Sequence, residues 1–239
     1  MNQLLDTIYS SGKVEDADGQ PVACFPTSVT YETGTVLYDL IRQHDLQKTL
    51  EVGMAYGLSS LFICQALKDG GAGMHTAMDP AQSSSWRSIG LLNVERAGLG
   101  HLLRFFEASS EDLLPRLVAD GERFDLAFID GMHLFDYTLV EFFYIDRMLE
   151  VNGYVVFDDI WMPAIRKVIA FVLKNRAYQM DKGALKAGGN RLQHARATAR
   201  RFLRQPFGKD AAIKLIPGNL CVLRKLADDT RTWSDYRNF

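Results

Sequence analysis

Three carboxylates at two points of the chain carry the most chemistry in this sequence. Asp130 ends one apolar run, and Asp158-Asp159 end another 28 residues further on. Adjacent parallel strands put their tips about 5 Å apart, so carboxylates at two such tips converge. Like charges that close raise one another's pKa unless a cation holds them ionised. A hard divalent ion such as Mg2+ takes oxygen ligands and keeps positions open for substrate oxygens. The same residues have ordinary uses: Asp130-Gly131 suits a turn, and Asp159 can cap a helix beginning near Met162. His133, three residues past Asp130, has an unperturbed pKa of ~6.5 and can take a proton near neutrality. It also fits a loop residue bonded to a neighbouring strand tip.

A second constellation lies in residues 49–60, Thr-Leu-Glu-Val-Gly-Met-Ala-Tyr-Gly-Leu-Ser-Ser. A short apolar run ends at Glu51, a turn from Gly53 to Gly57 follows, and an apolar helical pattern begins. Both glycines allow a sharp bend and close ligand approach. Glu51 repels phosphate and attracts an ammonium group. The dinucleotide fingerprint needs glycines at 53, 55 and 58; the chain has Gly53, Ala55 and Leu58. The loop therefore reads as a site for a nucleoside carrying a positively charged amino acid rather than for a pyrophosphate. Asp79, 28 residues after Glu51, can accept two hydrogen bonds from a ribose diol; Asp79-Pro80 equally starts a turn. Ser110 and Glu111 offer small polar groups to an adenine edge, and Ser109 or Ser110 with Glu111 and Asp112 also makes a plain helix cap.

Alternating elements must hold these residues. Strands are expected at about 48–52, His75–Asp79, Leu102–Phe106, Phe124–Asp130 and Tyr154–Asp158, the last entered by an Asn152-Gly153 turn. Helices are expected over Ser28–His44, 57–68, Trp86–Ala97, Glu111–Asp120, Tyr137–Leu149 and Ala164–Arg176. Ala212–Ile216 and Leu220–Lys225 read as a hairpin about Pro217-Gly218-Asn219. The expected fold is α/β, a doubly wound and mostly parallel sheet with a C-terminal antiparallel hairpin. Ligands of such sheets bind outside the carboxyl ends of the strands, where the acidic residues fall.

Together these residues resemble the class I S-adenosylmethionine-dependent methyltransferases over roughly residues 28–176 and the terminal hairpin. Within that class they are most similar to small-molecule O-methyltransferases of the catechol type and their antibiotic-sugar relatives. The loop matches as Glu51-x-Gly53-x-x-x-Gly57-x-Ser59. The more specific match is Ile129-Asp130-Gly131-Met132-His133 followed by Phe157-Asp158-Asp159. The resemblance implies that Ser59 and the Gly53–Gly57 backbone hold the methionine end, Asp79 the ribose, and Ser110 and Glu111 border the adenine. It implies a metal, Mg2+ or another divalent ion, on Asp130, Asp158 and Asp159. His133 stands where the catechol enzymes carry a lysine base, and Met132 stands where some antibiotic-sugar relatives use an aspartate.

The bounds agree with one enzyme-sized domain over 1–239, with an arm at 1–27 and an insert at 177–210. A net charge of −2 gives no pull toward nucleic acid or an anionic membrane. No run approaches the ~18 apolar residues of a membrane span, and the start lacks a signal-peptide pattern. Cys24, Cys64 and Cys221 are odd in number and far apart, as for buried thiols in a reducing cytoplasm. The insert carries eight Lys or Arg against two Asp, and Arg191–Arg204 forms a basic amphipathic pattern. A solvated helix packed on the domain or on a second copy of the chain explains it, as do a lid or an anion clamp. The expected activity is O-methylation of a small hydroxylated acceptor. A metal-independent methyltransferase and an RNA methyltransferase using the insert stay as alternatives.

Overall fold

The computed structural model describes residues 2–181, 183 and 219–239. The chain divides into two compact units, Met1–Leu113 and Leu114–Phe239.

The first unit opens with α1 (Gln3–Ser11), β1 (Lys13–Glu15) and β2 (Pro21–Ala23), the two strands pairing antiparallel. This is the segment read as a loose arm or a short helix; the helix is present, and the segment is packed: Leu5, Ile8, Val14 and Cys24 are buried. Tyr9 stands against Phe25, Tyr31 and Phe62, and its hydroxyl donates to the Val29 carbonyl at 2.8 Å. Elements this short leave too few repeats to show a period in the sequence.

Then follow α2 (Tyr31–His44), β3 (Lys48–Val52), α3 (Leu58–Gly70), β4 (Met74–Met78), α4 (Ile89–Arg96) and β5 (Leu103–Phe106). Every residue from Leu58 to Leu67 of α3 is buried, as expected for a helix apolar on nearly all sides. A Cβ on Gly34 of α2 would lie 2.2 Å from the Phe62 ring, so only glycine lets these two helices approach so closely. Strands β3, β4 and β5 run parallel with Val52 opposite Met78 and Met78 opposite Phe106. Their carboxyl ends are thus level, and the loops after them leave from one edge. Helix α5 (Ser110–Ala119) begins just past that edge.

The second unit contains β6 (Phe124–Ile129), α6 (Phe135–Met148), β7 (Leu149–Phe157), α7 (Pro163–Asn175), β8 (Tyr178–Met180) and β9 (Cys221–Lys225). Strands β6 and β7 are parallel from Leu126 opposite Tyr154 to Ile129 opposite Phe157. The expected Asn152-Gly153 turn proves to be an irregularity inside β7: the register shifts between Phe124 and Leu126, with Asn152 left-handed at φ 75°. Extra residues bulge out and the strand continues. Strand β9 is antiparallel to both β7 and β8. Antiparallel strands do close the C-terminal part of an α/β fold, but β8 lies at the start of the segment assigned to the insert. The rest of that insert, its basic helix and the first strand of the expected hairpin lie outside the described residues. Among the described residues no helix is long and apolar enough to cross a membrane.

Candidate functional site

In the first unit the glycine loop is built by its own backbone and by α4. Gly53, Ala55 and Gly57 all have positive φ, at 88°, 45° and 77°. A Cβ on Gly57 would stand 2.8 Å from the Gly90 carbonyl oxygen. Asn93 Nδ2 donates to the Tyr56 carbonyl at 2.9 Å, and Gln82 Nε2 donates to that of Ala55. Nothing in the sequence pattern marked Gln82 or Asn93, because each bonds to backbone far away along the chain. The first turn of α3 has no side-chain cap, which leaves N–H donors suited to an anionic group.

Glu51 is not at the surface. It is fully buried, and its carboxylate accepts from Ser59 Oγ, Ser60 Oγ and His75 Nε2, the last at 2.9 Å. Its charge therefore acts from beneath the loop, through Ser59 and Ser60. Asp79 is nearly buried as well. Its Oδ2 accepts from the Met54 and Ala55 N–H groups at 3.1 and 2.8 Å, and Oδ1 accepts from Ala81 N at 2.8 Å. A carboxylate has about four acceptor positions, so Asp79 keeps one, where the sequence promised two to a ribose. Its first task is to fold the glycine loop onto the tip of β4. Ser110 opens α5 as a buried residue with exposed Glu111 beside it, while Ser109 Oγ donates to Asp112 at 3.0 Å as an ordinary helix start.

In the second unit the pairing of Ile129 with Phe157 sets Asp130 and Asp158 side by side just past the strand ends. Ligand atoms of Asp130, His133 and Asp159 all lie within 4.8 Å of one another. His133 Nε2 stands 3.1 Å from Asp130 Oδ1 and 3.1 Å from Asp159 Oδ2. Burial opposes a charge on His133, but the bond to Asp130 and the charges of Asp130, Asp159 and Asp158 outweigh it and raise the imidazole's pKa. A proton there ties the two carboxylates together. Both His133 and Asp159 are left-handed, at φ 57° and 52°, and side-chain-bearing residues held so by their surroundings concentrate at functional sites.

Asp158 stands beside this trio. Its Oδ1 accepts from Asp159 N at 2.8 Å and from Asn219 Nδ2 at 3.2 Å. Burial first, then the charge of Asp130, lifts its carboxyl well above the ordinary value of 3.8. Asn219 also donates to Asp159 Oδ1 at 2.6 Å, and Trp161 Nε1 to the same oxygen at 2.7 Å. The sequence pointed to Asn219 only as part of a turn; its role needs the β9 pairing that carries it to the tip of β7. Met132, Leu134 and Trp161 are large apolar side chains exposed around the trio, Met132 by 62% and Trp161 by 51%. The donor set, two carboxylates and an imidazole, suits a divalent cation. Carboxylates accept Mg2+, and the nitrogen favours a transition ion such as Mn2+.

Residues 50–160 match the model of a family described as "Methyltransferase domain". A caffeoyl-CoA O-methyltransferase of Petunia hybrida is 33% identical over 103 residues, 42% of this chain and 41% of that protein. A catechol O-methyltransferase of Niastella koreensis is 30% identical over 105 residues, 44% and 46% of the two chains. The chain thus spans less than half the length of these two relatives. Among solved structures, the O-methyltransferase TomG from Streptomyces achromogenes, in complex with SAM, superposes with a TM-score of 0.61 at 18% identity. That match covers 76% of this chain and 82% of TomG. An O-methyltransferase from Bacillus cereus, in complex with SAH, gives 0.61 at 18%, covering 76% and 83%. At such identity the likeness speaks for the fold. Residues 50–160 are thus similar to a methyltransferase domain, and the fold is that of the solved O-methyltransferases.

Proposed function

We propose that this chain transfers a methyl group from S-adenosylmethionine to a hydroxyl of a small phenolic acceptor, assisted by a divalent cation. The carrying observation is the convergence of Asp130, His133 and Asp159 within 4.8 Å. Exposed Met132 and Leu134, next to His133 in the chain, and exposed Trp161, bonded to Asp159, support a flat phenolic acceptor over a sugar. In the first unit, the uncapped first turn of α3 suits the carboxylate of an amino acid, and Glu51 beneath Ser59 suits its ammonium. The last acceptor position of Asp79 suits one ribose hydroxyl.

Asp130 and Asp159 would hold the cation with Asp158 beside them, and His133 shares their space. Such an ion would supply Lewis acidity that lowers the pKa of the acceptor hydroxyl. The acceptor oxygen gives its electron pair to the methyl carbon, the carbon–sulfur bond breaks, and its pair returns to sulfur as S-adenosylhomocysteine. With the two carboxylates on the ion, His133 acts as a base rather than as a ligand and takes the hydroxyl proton. Asn219 and Trp161 fix the Asp159 carboxylate.

The test is methyl transfer to a vicinal dihydroxyphenol with Mg2+ or Mn2+ and again in excess EDTA. Turnover should need the ion, and His133→Ala should lower kcat by roughly 10²–10⁴-fold. Full turnover in EDTA removes the cation from the proposal and leaves methyl transfer standing.

A further inference from the structure

A fully buried histidine sits on the strand next to the one that leads into the glycine loop. His75 of β4 lies opposite Thr49 of β3, and both are completely shielded from solvent, as is Glu51. Both ring nitrogens are engaged: Nδ1 with Thr49 Oγ1 at 2.9 Å, and Nε2 with Glu51 Oε2 at 2.9 Å and Ser60 Oγ at 3.3 Å. A carboxylate cannot donate, so the nitrogen facing it carries the proton, and the Thr49 hydroxyl occupies the other. The chain of contacts runs on through Glu51 to Ser59 and Ser60 in the first turn of α3.

Such a polar string inside an apolar layer is costly unless every member is paired. Here Thr49, His75, Glu51, Ser59 and Ser60 satisfy one another. An apolar residue at 75 would have filled the layer without that cost. What the imidazole adds is direction: with Nε2 fixed on Oε2, the Glu51 carboxylate has one orientation, and its Oε1 is aimed at Ser59. The Ser59 proton is then spent on Glu51, and the hydroxyl oxygen is left as an acceptor.

Resting on the proposed cofactor, we infer that His75, oriented by Thr49, is a positioning residue. It fixes Glu51 and, through it, the serine face that receives the ammonium of S-adenosylmethionine.

Calorimetric titration of the full chain with S-adenosylhomocysteine tests this, with circular dichroism melts confirming the fold of each variant. His75→Leu should weaken binding roughly tenfold or more, the loss of a hydrogen bond to a charged group. His75→Gln, whose amide N–H reaches toward Glu51, should stay within about threefold of wild type. In a Glu51→Gln background the same His75→Leu change should cost under about threefold, because the residue acts through Glu51. In turnover, His75→Leu should raise KM for S-adenosylmethionine and leave kcat within about threefold. Where His75→Leu does not fold, His75→Asn, too short to reach Glu51, should report the same loss. Wild-type affinity in a folded His75→Leu or His75→Asn overturns the inference, as does an equal loss with and without the Glu51 carboxylate. A folded wild type that does not bind at all overturns the cofactor reading and this inference with it.

Discussion

Asp158 is an acid whose surroundings oppose its charge. Its carboxyl is lifted by burial and by Asp130. For an acid raised in the folded state, the cost is absent below its ordinary value of 3.8. It grows as pH rises from there and is complete above the folded value. Asp158→Asn removes the charge and keeps an oxygen for Asn219 Nδ2 and the Asp159 N–H. In chelator, the variant should melt above wild type near neutral pH. The two should converge near pH 4. Turnover should fall, since an amide binds a hard cation more weakly than a carboxylate. Equal melting at both pH values contradicts the assigned burial cost. At this scale the sequence showed which acids stand at strand tips, because strand ends and charges are local facts. It did not show that Glu51 and most of Asp79 are already bonded, since His75, Ser60 and the loop amides reach them only through strand register.

Elements decide how well the loop is held. Gly57 is left-handed at φ 77°, and a Cβ there would meet the Gly90 carbonyl at 2.8 Å. Gly121, at φ 73°, has nothing within 4 Å of an added Cβ. Alanine at either costs about 1–2 kcal/mol for the backbone conformation. Gly57→Ala should cost more by the collision, and thermal melts of both variants measure the difference. Gly57→Ala should also weaken S-adenosylhomocysteine, whereas Gly121→Ala should leave its affinity alone. Matching losses in stability and affinity would show that the Gly90 contact does not matter. The central strands and helices were legible within a few residues because β6 is a nearly continuous apolar run, and β3 and β4, though mixed in composition, lie between helical patterns and glycine punctuation. The N-terminal hairpin was not, its strands being three residues each. Nor was the β7 bulge, where Asn-Gly carries the same local signal as a turn.

For the molecule as a whole, ligand binding should appear as stability. A ligand that binds only the folded chain adds RT ln(1 + [L]/Kd), about 2.7 kcal/mol at a hundredfold excess over Kd. For this length that is roughly 5–11 °C in Tm. S-adenosylhomocysteine should give a shift of that order in a thermal-shift assay, and NAD should give none, since two of three fingerprint glycines are missing. A shift by NAD alone would favour a nicotinamide enzyme.

The most direct measurement is calorimetry of S-adenosylhomocysteine against folded wild type and Asp79→Ala. The account predicts one site per chain in wild type, with Kd in the range of about 1–100 μM. It predicts loss of most affinity in Asp79→Ala, which surrenders the bonds to Met54 N and Ala55 N and the proposed ribose contact. A folded wild type that takes up no S-adenosylhomocysteine, or an Asp79→Ala that binds it as well as wild type does, would contradict it.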